Sequence, residues 1–428
     1  MNAPTFPSLR SLDDSLAELL SAVKPLGESE AVSTFEADRR VLAQDVVSPL
    51  DVPGFDNSQM DGYALRSADV REAGVVLQVT QRVPAGHFGK PLERLSAARI
   101  FTGAPMPPDA DCVVLQEECE TVNESSTSGS SQAAWGGVRI NTVPQAGQWV
   151  RLRGEDVKLG HVALEKGQLL TPAALGLAAS LGMDKLQVSR RPRVALFSTG
   201  DELVMPGQVK PADMKPGAIY NSNRFFLRAM LRRTGCEVTD LGIVPDQREA
   251  ILQALRNAAA SHDVILTSGG VSVGEEDHIK PAVQQLGSLD LWSISMKPGK
   301  PFAYGRVNRE GQGFAHFVGL PGNPVSSFVT FLLLVRPLLA RLQGQSGDLT
   351  AINSVALRAD FTKAKTDKRR EFLRARCNAK NGLDLFPNQN SSVLTSAVWA
   401  DGLVDVPAGH VIKEGDMVRF IPFSFLLG

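Results

Sequence analysis

Leu12, Leu16, Leu19, Leu20 and Val23 recur at helical spacing, and Asp13 and Asp14 fall in the first turn, where the helix dipole favours acids. The pattern predicts helix over residues 11–43, ended first at Pro25 and resumed as a short second helix over 33–43. Over 52–150 the texture changes to short β-branched runs such as VVLQVTQRV and DCVVLQE, separated by Gly and Pro, which predicts an all-β module. Within it the polar tract at 121–132, TVNESSTSGSSQ, reads as a mobile hairpin loop. Helical spacing returns over 171–181. The β module is therefore expected between two halves of one helical unit.

After Arg193 strands and helices alternate. VALFS predicts a strand, and residues 223–233 a helix with Phe226, Leu227, Met230 and Leu231 on one face and Arg224, Arg228 and Arg232 largely off it. EVTDLGIV predicts a strand, and 249–260 a helix with Ile251, Leu252 and Leu255 inward. DVILTS is almost wholly apolar, as in a strand covered on both faces. Another helix follows near 279–286, then LWSISMKPGKPFAYGRV, FAHFVGL and a long helix over 324–342. Such alternation predicts a parallel, doubly wound sheet. A polar linker at 343–350 precedes short strands (VALRADF, EFLRARC, VDVPAG, MVRFIPF) that predict a small barrel or sandwich.

At 428 residues the chain exceeds one ordinary core. It is 43% hydrophobic and 21% charged, the balance of a soluble globular protein. Formal net charge is −1, so nothing global points to nucleic acid or to an acidic membrane surface, and any anion site must be local. The four cysteines lack C-x-x-C spacing and the six histidines form no H-x-x-x-H pair, which argues for a reducing compartment and against zinc modules or disulfides. No apolar segment follows a basic start at the N-terminus. The longest apolar run, 328–335, stops at Arg336, short of the roughly 20 residues a membrane span needs. A cytoplasmic location is the expectation.

In a parallel sheet, ligands bind where strands end and helices begin. Two such loops have suitable composition. After VALFS come Ser198, Thr199, Gly200, Asp201 and Glu202; after DVILT come Ser268, Gly269, Gly270, Val271, Ser272, Val273 and Gly274, then Glu275, Glu276 and Asp277. Glycines let a backbone approach a phosphate, and hydroxyls add donors. Ordinary βα turns also use Gly, Ser and Asp. Neither loop is a Walker A or a G-x-G-x-x-G fingerprint. Lys297 and Lys300 flank a Pro-Gly turn in MKPGKP, where two directed ammonium groups suit an oxyanion, as well as a solvated loop. GLPGNP places proline at the start of a helix, and its stiffness suits a binding wall with Pro321, Pro324 and Ser326. Glu202, Asp246 and Asp277 should share the carboxyl edge of the sheet, where carboxylates beside phosphates indicate Mg²⁺; helix capping is the rival reading of Asp246 and Asp277. By their residues alone, Asp61-Gly62 and RLRGED read as turns.

Together these segments resemble the molybdopterin molybdenumtransferase (MoeA) family, to which the gephyrin E domain is similar. The likeness runs from about Ser11 to the C-terminus through eight blocks in order: DVPGFDNSQMDGYA, FTGAPMP, RGEDV, LFSTGDEL, IYNSNRF, TSGGVSVGEEDHIK, MKPGKPFAYG and GLPGNPVSS. It implies a multidomain α/β plus β fold. A helical and mixed linker domain (8–50 and 149–188) is interrupted by a β domain (51–148), and a Mog-like doubly wound α/β domain (189–343) and a C-terminal β domain (350–428) follow. It implies an elongated homodimer, and a reaction in which adenylylated molybdopterin and molybdate give molybdenum cofactor and AMP with Mg²⁺ assisting. Docking to other proteins of that biosynthesis is a further expectation, with no role for nucleic acid or membrane. Lys297, Lys300, Ser272, Arg374 and Ser391 are similar to molybdate and pterin-phosphate contacts. Asp61, Thr102 and Asp156 match functional positions that, in such dimers, face the other subunit's α/β domain.

Some positions depart from the family pattern. Ser293 stands where some members carry lysine, Asp109 replaces a common glycine, and Asn388 and Asn390 occupy positions that are often glycine, where asparagine tolerates positive φ. Two rival functions share parts of the pattern: a gephyrin-like scaffold and a Mog-type molybdopterin adenylyltransferase. The chain lacks the extra nucleotide-binding domain of the first and carries β domains that the second does not need.

Overall fold

The computed structural model describes residues 9–122, 135–270 and 278–427. After Arg193 the chain forms β1 (Arg193–Ser198), α1 (Asn223–Arg233), β2 (Glu237–Ile243), α2 (Arg248–Ser261), β3 (Val264–Ser268), α3 (Ile279–Leu286), β4 (Gly287–Ser293), β5 (Pro301–Asn308) and β6 (Phe314–Leu320). Their order across the sheet is β2-β1-β3-β6-β5-β4. The first four strands are mutually parallel. β5 and β4 are antiparallel to their neighbours, so the sheet is mixed where a parallel one is expected. The reason is local: β5 and β6 are joined by a tight turn closed by Arg309 N–H on the Gly313 carbonyl, and a parallel pair would need a long crossover.

Alternation along the strands feeds two cores. Val194, Leu196, Val264, Leu266, Val318 and Leu320 face one side with α1 and the helix Pro324–Leu342. Ala195, Phe197, Ile265 and Phe317 face the other with α2 and α3. Every residue of β3 is buried. The 19-residue helix Pro324–Leu342 is long and apolar enough to cross a membrane by composition, but 83% of its most apolar 18-residue window is buried, so it is a core helix. Its middle, Phe331–Val335, is π-helical.

The helix Leu12–Ser21, capped by Ser11 on the Asp14 N–H at 3.0 Å, packs Leu12, Leu16 and Leu19 into the first of these cores. The second predicted helix does not form. Ser29–Ser33 pairs antiparallel with Lys185–Ser189, only a 3-10 turn follows at Thr34–Glu36, and Arg39 takes φ 59. Pairing with a distant strand overrides local helical spacing there. Leu42 and Val46 meet Leu164, Leu170, Ala174 and Leu186 in a core that joins the two flanks of the β module.

The β module is a six-stranded sheet in the order Cys112–Leu115, Gly62–Leu65, Ser96–Ile100, Val75–Val83, Gly137–Ile140, Cys119–Val122. Thr121 and Val122 belong to its last strand; the rest of the predicted loop at 121–132 lies outside the described residues. In the C-terminal region Arg370–Cys377 pairs with both Gly382–Leu385 and Gly402–Val406, which closes the strands into a barrel. Met296–Lys297 adds to that barrel in parallel with Arg370 and Glu371.

Candidate active site

Register sets four strand ends in a row: Ser198 lies beside Ile243 and Ser268, and Ser268 beside Leu320. Beyond this row the loops diverge around a cleft of about 540 Å³. Thr199 and Glu202 line it from the first loop. Gly200 has φ 140, and a Cβ there would meet the Glu202 carboxylate at 2.5 Å, so glycine lets that carboxylate fold back over the chain. STGDEL does not run straight into a helix. Leu203–Val204 pairs in parallel with Ile219–Tyr220, and Asn221 N–H extends the pairing to the Val204 carbonyl at 3.0 Å.

That return arm brings Asn221, Ser222 and Asn223 to the cleft. The buried Asn223 donates through its side-chain amide to Ser268 Oγ at 3.1 Å and to the Gly322 carbonyl at 2.7 Å, tying α1 to two other loops. Ser268 and Gly269 form the second wall. Gly269 N–H donates to the Leu320 carbonyl at 3.0 Å. Gly270, at φ 68, packs so tightly that a Cβ would come within 2.3 Å of Ile279. Gly322, Asn323 and Pro324 form the third wall, and Ser392 reaches in from the barrel. Pro321 accepts from the buried Ser327 hydroxyl, and Ser326 is buried in the same turn. Val325 N–H donates to the Ser391 carbonyl at 2.9 Å, which seats the 387–391 loop on the helix start.

Among the described residues no lysine or arginine lines the cleft, and Glu202 is the one carboxylate. Among the described residues at this edge, Ser198 Oγ, Thr267 Oγ1 and Asn221 Nδ2 are buried without a partner, and of these Asn221 lines the cleft. Such an arrangement suits an oxygen-rich ligand that takes up neutral donors.

Comparison with known proteins places this geometry. Residues 10–182 match the MoeA N-terminal region (domain I and II), 195–341 a probable molybdopterin binding domain, and 354–423 the MoeA C-terminal region (domain IV). The molybdopterin molybdenumtransferase of Haemophilus influenzae is 37% identical over 426 residues, covering 98% of this chain and 100% of that one. That of a Nostoc species is 37% identical over 344 residues, covering 79% and 75%. The molybdopterin biosynthesis MoeA protein of Pyrococcus horikoshii superposes with a TM-score of 0.80 at 26% identity, covering 96% and 99%. The chain belongs to the molybdopterin molybdenumtransferase family. It is an enzyme that inserts molybdenum in molybdenum cofactor biosynthesis.

The enzyme's other predicted residues are dispersed. Ser272, Gly274 and Asp277 lie outside the described residues. Asp246 is half-buried just past β2, where Val244 N–H donates to the Ser198 carbonyl at 2.9 Å, and it does not line the cleft. Gln247, not Asp246, occupies the N-cap of α2. Lys297 faces the barrel and donates to Asp367 at 3.2 Å and Glu371 at 3.1 Å; the nearly buried Glu371 also pairs with Lys363. Arg369, followed by Lys297, holds the Asp367 carboxyl well below the usual range. Lys300 is exposed across a turn whose Gly299 has no room for a Cβ, since Met296 and Thr330 would each stand 2.5 Å away.

Arg374 is 1% exposed and does not line the cleft. It donates to Ser396 Oγ at 3.1 Å and the Phe372 carbonyl at 3.0 Å, one Nη has no partner, and burial pushes its pKa down to about 10. Its backbone exchanges two hydrogen bonds with the Gln389 side chain, so it steadies the loop that carries Ser391. Asn388 and Asn390 do not take the positive φ expected of them. Each accepts from a backbone N–H two residues on, at 3.0 and 3.1 Å, which stabilises the turn through side chains instead. Asp109 takes a left-handed conformation, φ 68, of the kind glycine adopts readily.

In the N-terminal half, exposed Asp61 accepts from both the N–H and the hydroxyl of Thr102 at 2.8 Å, and these bonds hold its carboxyl below the ordinary range. Gly62 does not form a hairpin turn but opens a strand, where a Cβ would meet the Val114 carbonyl at 2.0 Å. Asp156 is exposed and donates its N–H to the Val52 carbonyl at 3.0 Å. Gly322 and Asn323 come from the GLPGNP turn offered as a wall; the cleft residues outside the predicted site include Ile219, Asn221, Ser222, Asn223 and Ser392. Asn221 and Asn223 stand in plain view in IYNSNRF, where paired asparagines open an amphipathic helix; carboxamides read as turn formers unless their partners are known.

Proposed function

We propose that the cleft binds adenylylated molybdopterin through its phosphates, and that reaction with molybdate releases molybdenum cofactor and AMP. The lining carries this reading. Hydroxyls and carboxamides suit phosphoryl oxygens, whereas Glu202 repels them unless a cation lies between. The described residues contain no group of three His, Cys, Asp or Glu side chains able to hold a metal by themselves. Mg²⁺ takes one or two carboxylates plus substrate phosphates, so the donor set fits that ion. Glu202 would hold it; Asp246, just past β2 but not in the cleft lining, and Asp277, outside the described residues, are the other carboxylates that the sequence offers. Bound there, it supplies charge neutralisation during phosphoryl cleavage. Thr199 and Ser268 orient the phosphates by their hydroxyls, and the glycines at 200 and 269 admit them closely. Lys297 and Lys300 hold molybdate, which must compete with Asp367 and Glu371 for Lys297.

The enzyme is read as a homodimer in which Asp61, Thr102 and Asp156 of one subunit face the cleft of the other. The Asp61 carboxylate, exposed yet fixed by two bonds, supports this. All four cysteines are free, which supports a reducing, cytoplasmic location. Purified enzyme given adenylylated molybdopterin, Mg²⁺ and molybdate is expected to release AMP, and no release overturns the reading. Mixed dimers of Asp61→Ala and Glu202→Ala subunits should regain activity that neither variant has alone; no recovery argues against a shared site.

A further inference from the structure

We infer that the Asn221–Asn223 turn reads the phosphoryl group of the ligand: Asn221 donates its side-chain amide to a phosphoryl oxygen, and Asn223 is a positioning residue that makes Ser268 a second donor. The inference rests on the reading of the cleft as a nucleotide-phosphate site.

Asn221 lines the cleft and is 2% exposed. Its Oδ1 accepts the Arg224 N–H at 3.2 Å, which sets the carboxamide with its acceptor towards α1 and its nitrogen away. That nitrogen has no partner. The residue cannot easily swing to find one. Its backbone N–H is bound to Val204 at 3.0 Å, and Arg224 is anchored on Asp240 at 2.6 Å. Buried donors are nearly always paired, so an orphan in a cleft wall marks where a ligand acceptor belongs.

Asn223 works differently, because both of its amide hydrogens are spent, one on Ser268 Oγ and one on Gly322. Since Ser268 Oγ accepts from Asn223, its own proton must point elsewhere, and Ser268 lines the cleft. Asn221 and Ser268 then offer two neutral donors among the residues that line one cleft. That pattern fits a phosphate ester oxygen, which only accepts.

The test is calorimetric titration of AMP with Mg²⁺ into the full chain. Asn221→Ser keeps a hydroxyl acceptor for the Arg224 N–H and removes the amide, so AMP should bind about 10- to 100-fold more weakly with Tm moved by no more than about 2 °C. Asn221→Asp keeps the acceptor, suits the N-terminal end of α1 just ahead of its cap and replaces the donor with a charge; it should weaken binding further, and it answers the question if the serine variant folds poorly. For Asn223, a double-variant cycle with Ser268 is decisive: Asn223→Ala should weaken AMP binding little once Ser268→Ala is present. Additive losses overturn the positioning role. Wild-type binding matched within twofold by Asn221→Ser overturns the assignment of Asn221 and leaves the cleft reading standing. Wild-type enzyme that does not bind AMP overturns the cleft reading and this inference with it.

Discussion

The two ends of one sheet hold their polar groups in opposite condition. At the amino end Asp263 accepts two bonds from Arg190 at 2.8 and 3.1 Å and one from the Arg193 N–H at 2.8 Å, with Arg309 at 3.9 Å. Burial pushes its carboxyl up, yet these donors prevail and hold it below the ordinary range. His316, beside Val264 in register, pairs with the Tyr304 hydroxyl at 2.8 Å. At the carboxyl end Ser198, Thr267 and Asn221 keep buried polar atoms without partners. The layers that cover the strands are the same. What differs is whether the chain closes its own hydrogen bonds, and each group left open costs roughly 1–3 kcal/mol. The closed end serves stability; the open end is the one where the proposed binding cleft lies.

Four experiments can break or sharpen that contrast. Asp263→Ala removes the carboxylate that Arg190 and the Arg193 N–H share, leaving half-buried Arg190 with Glu28, and should destabilise the fold by about 3 kcal/mol in denaturant titration, while AMP release per folded molecule holds. A loss confined to activity would reverse the roles of the two ends. Glu202→Ala should do the opposite, lowering AMP release by roughly 100-fold with the melting temperature nearly unchanged.

Next comes pH. Burial holds His316 down to about 4 in the fold, against 6.5 ordinarily. Between those values the unfolded chain binds more protons, so stability falls as pH drops from 6.5 towards 4. From pH 7 to 5 the loss should be roughly 2 kcal/mol, and His316→Gln should flatten that slope. A slope unchanged in the variant would place the pH response elsewhere. Smallest is Asn223→Ala, which breaks two hydrogen bonds across the open end. It should reduce stability by about 1–2 kcal/mol and AMP release by about tenfold. Lost stability without lost activity would make Asn223 a brace alone.

The α/β elements were readable because their patterns are local. The predicted helix over 223–233 is found at Asn223–Arg233, and the largely apolar run at 264–268 is the strand buried on both faces. Where long-range pairing competes, local pattern fails: residues 29–33 join a strand some 150 positions away instead of leading into a helix. The cleft was half legible. Thr199, Glu202, Ser268, Gly269 and Pro324 were named from loop composition, and the structure sets them around one cavity. Asn221 and Asn223 were not, because a carboxamide declares its role only through its partners.

Sequence alone determined the family, through eight ordered blocks, and the alternation that lays strand ends along one edge. The family came from resemblance of those blocks; the alternation follows from side-chain period and local turn chemistry, which near neighbours in the chain decide. Tertiary structure alone decided which polar atoms stay unpaired, that Arg374 is buried and that Lys297 turns to the barrel. Each depends on groups brought together from far apart in the chain, and whether a donor meets an acceptor is set by that meeting.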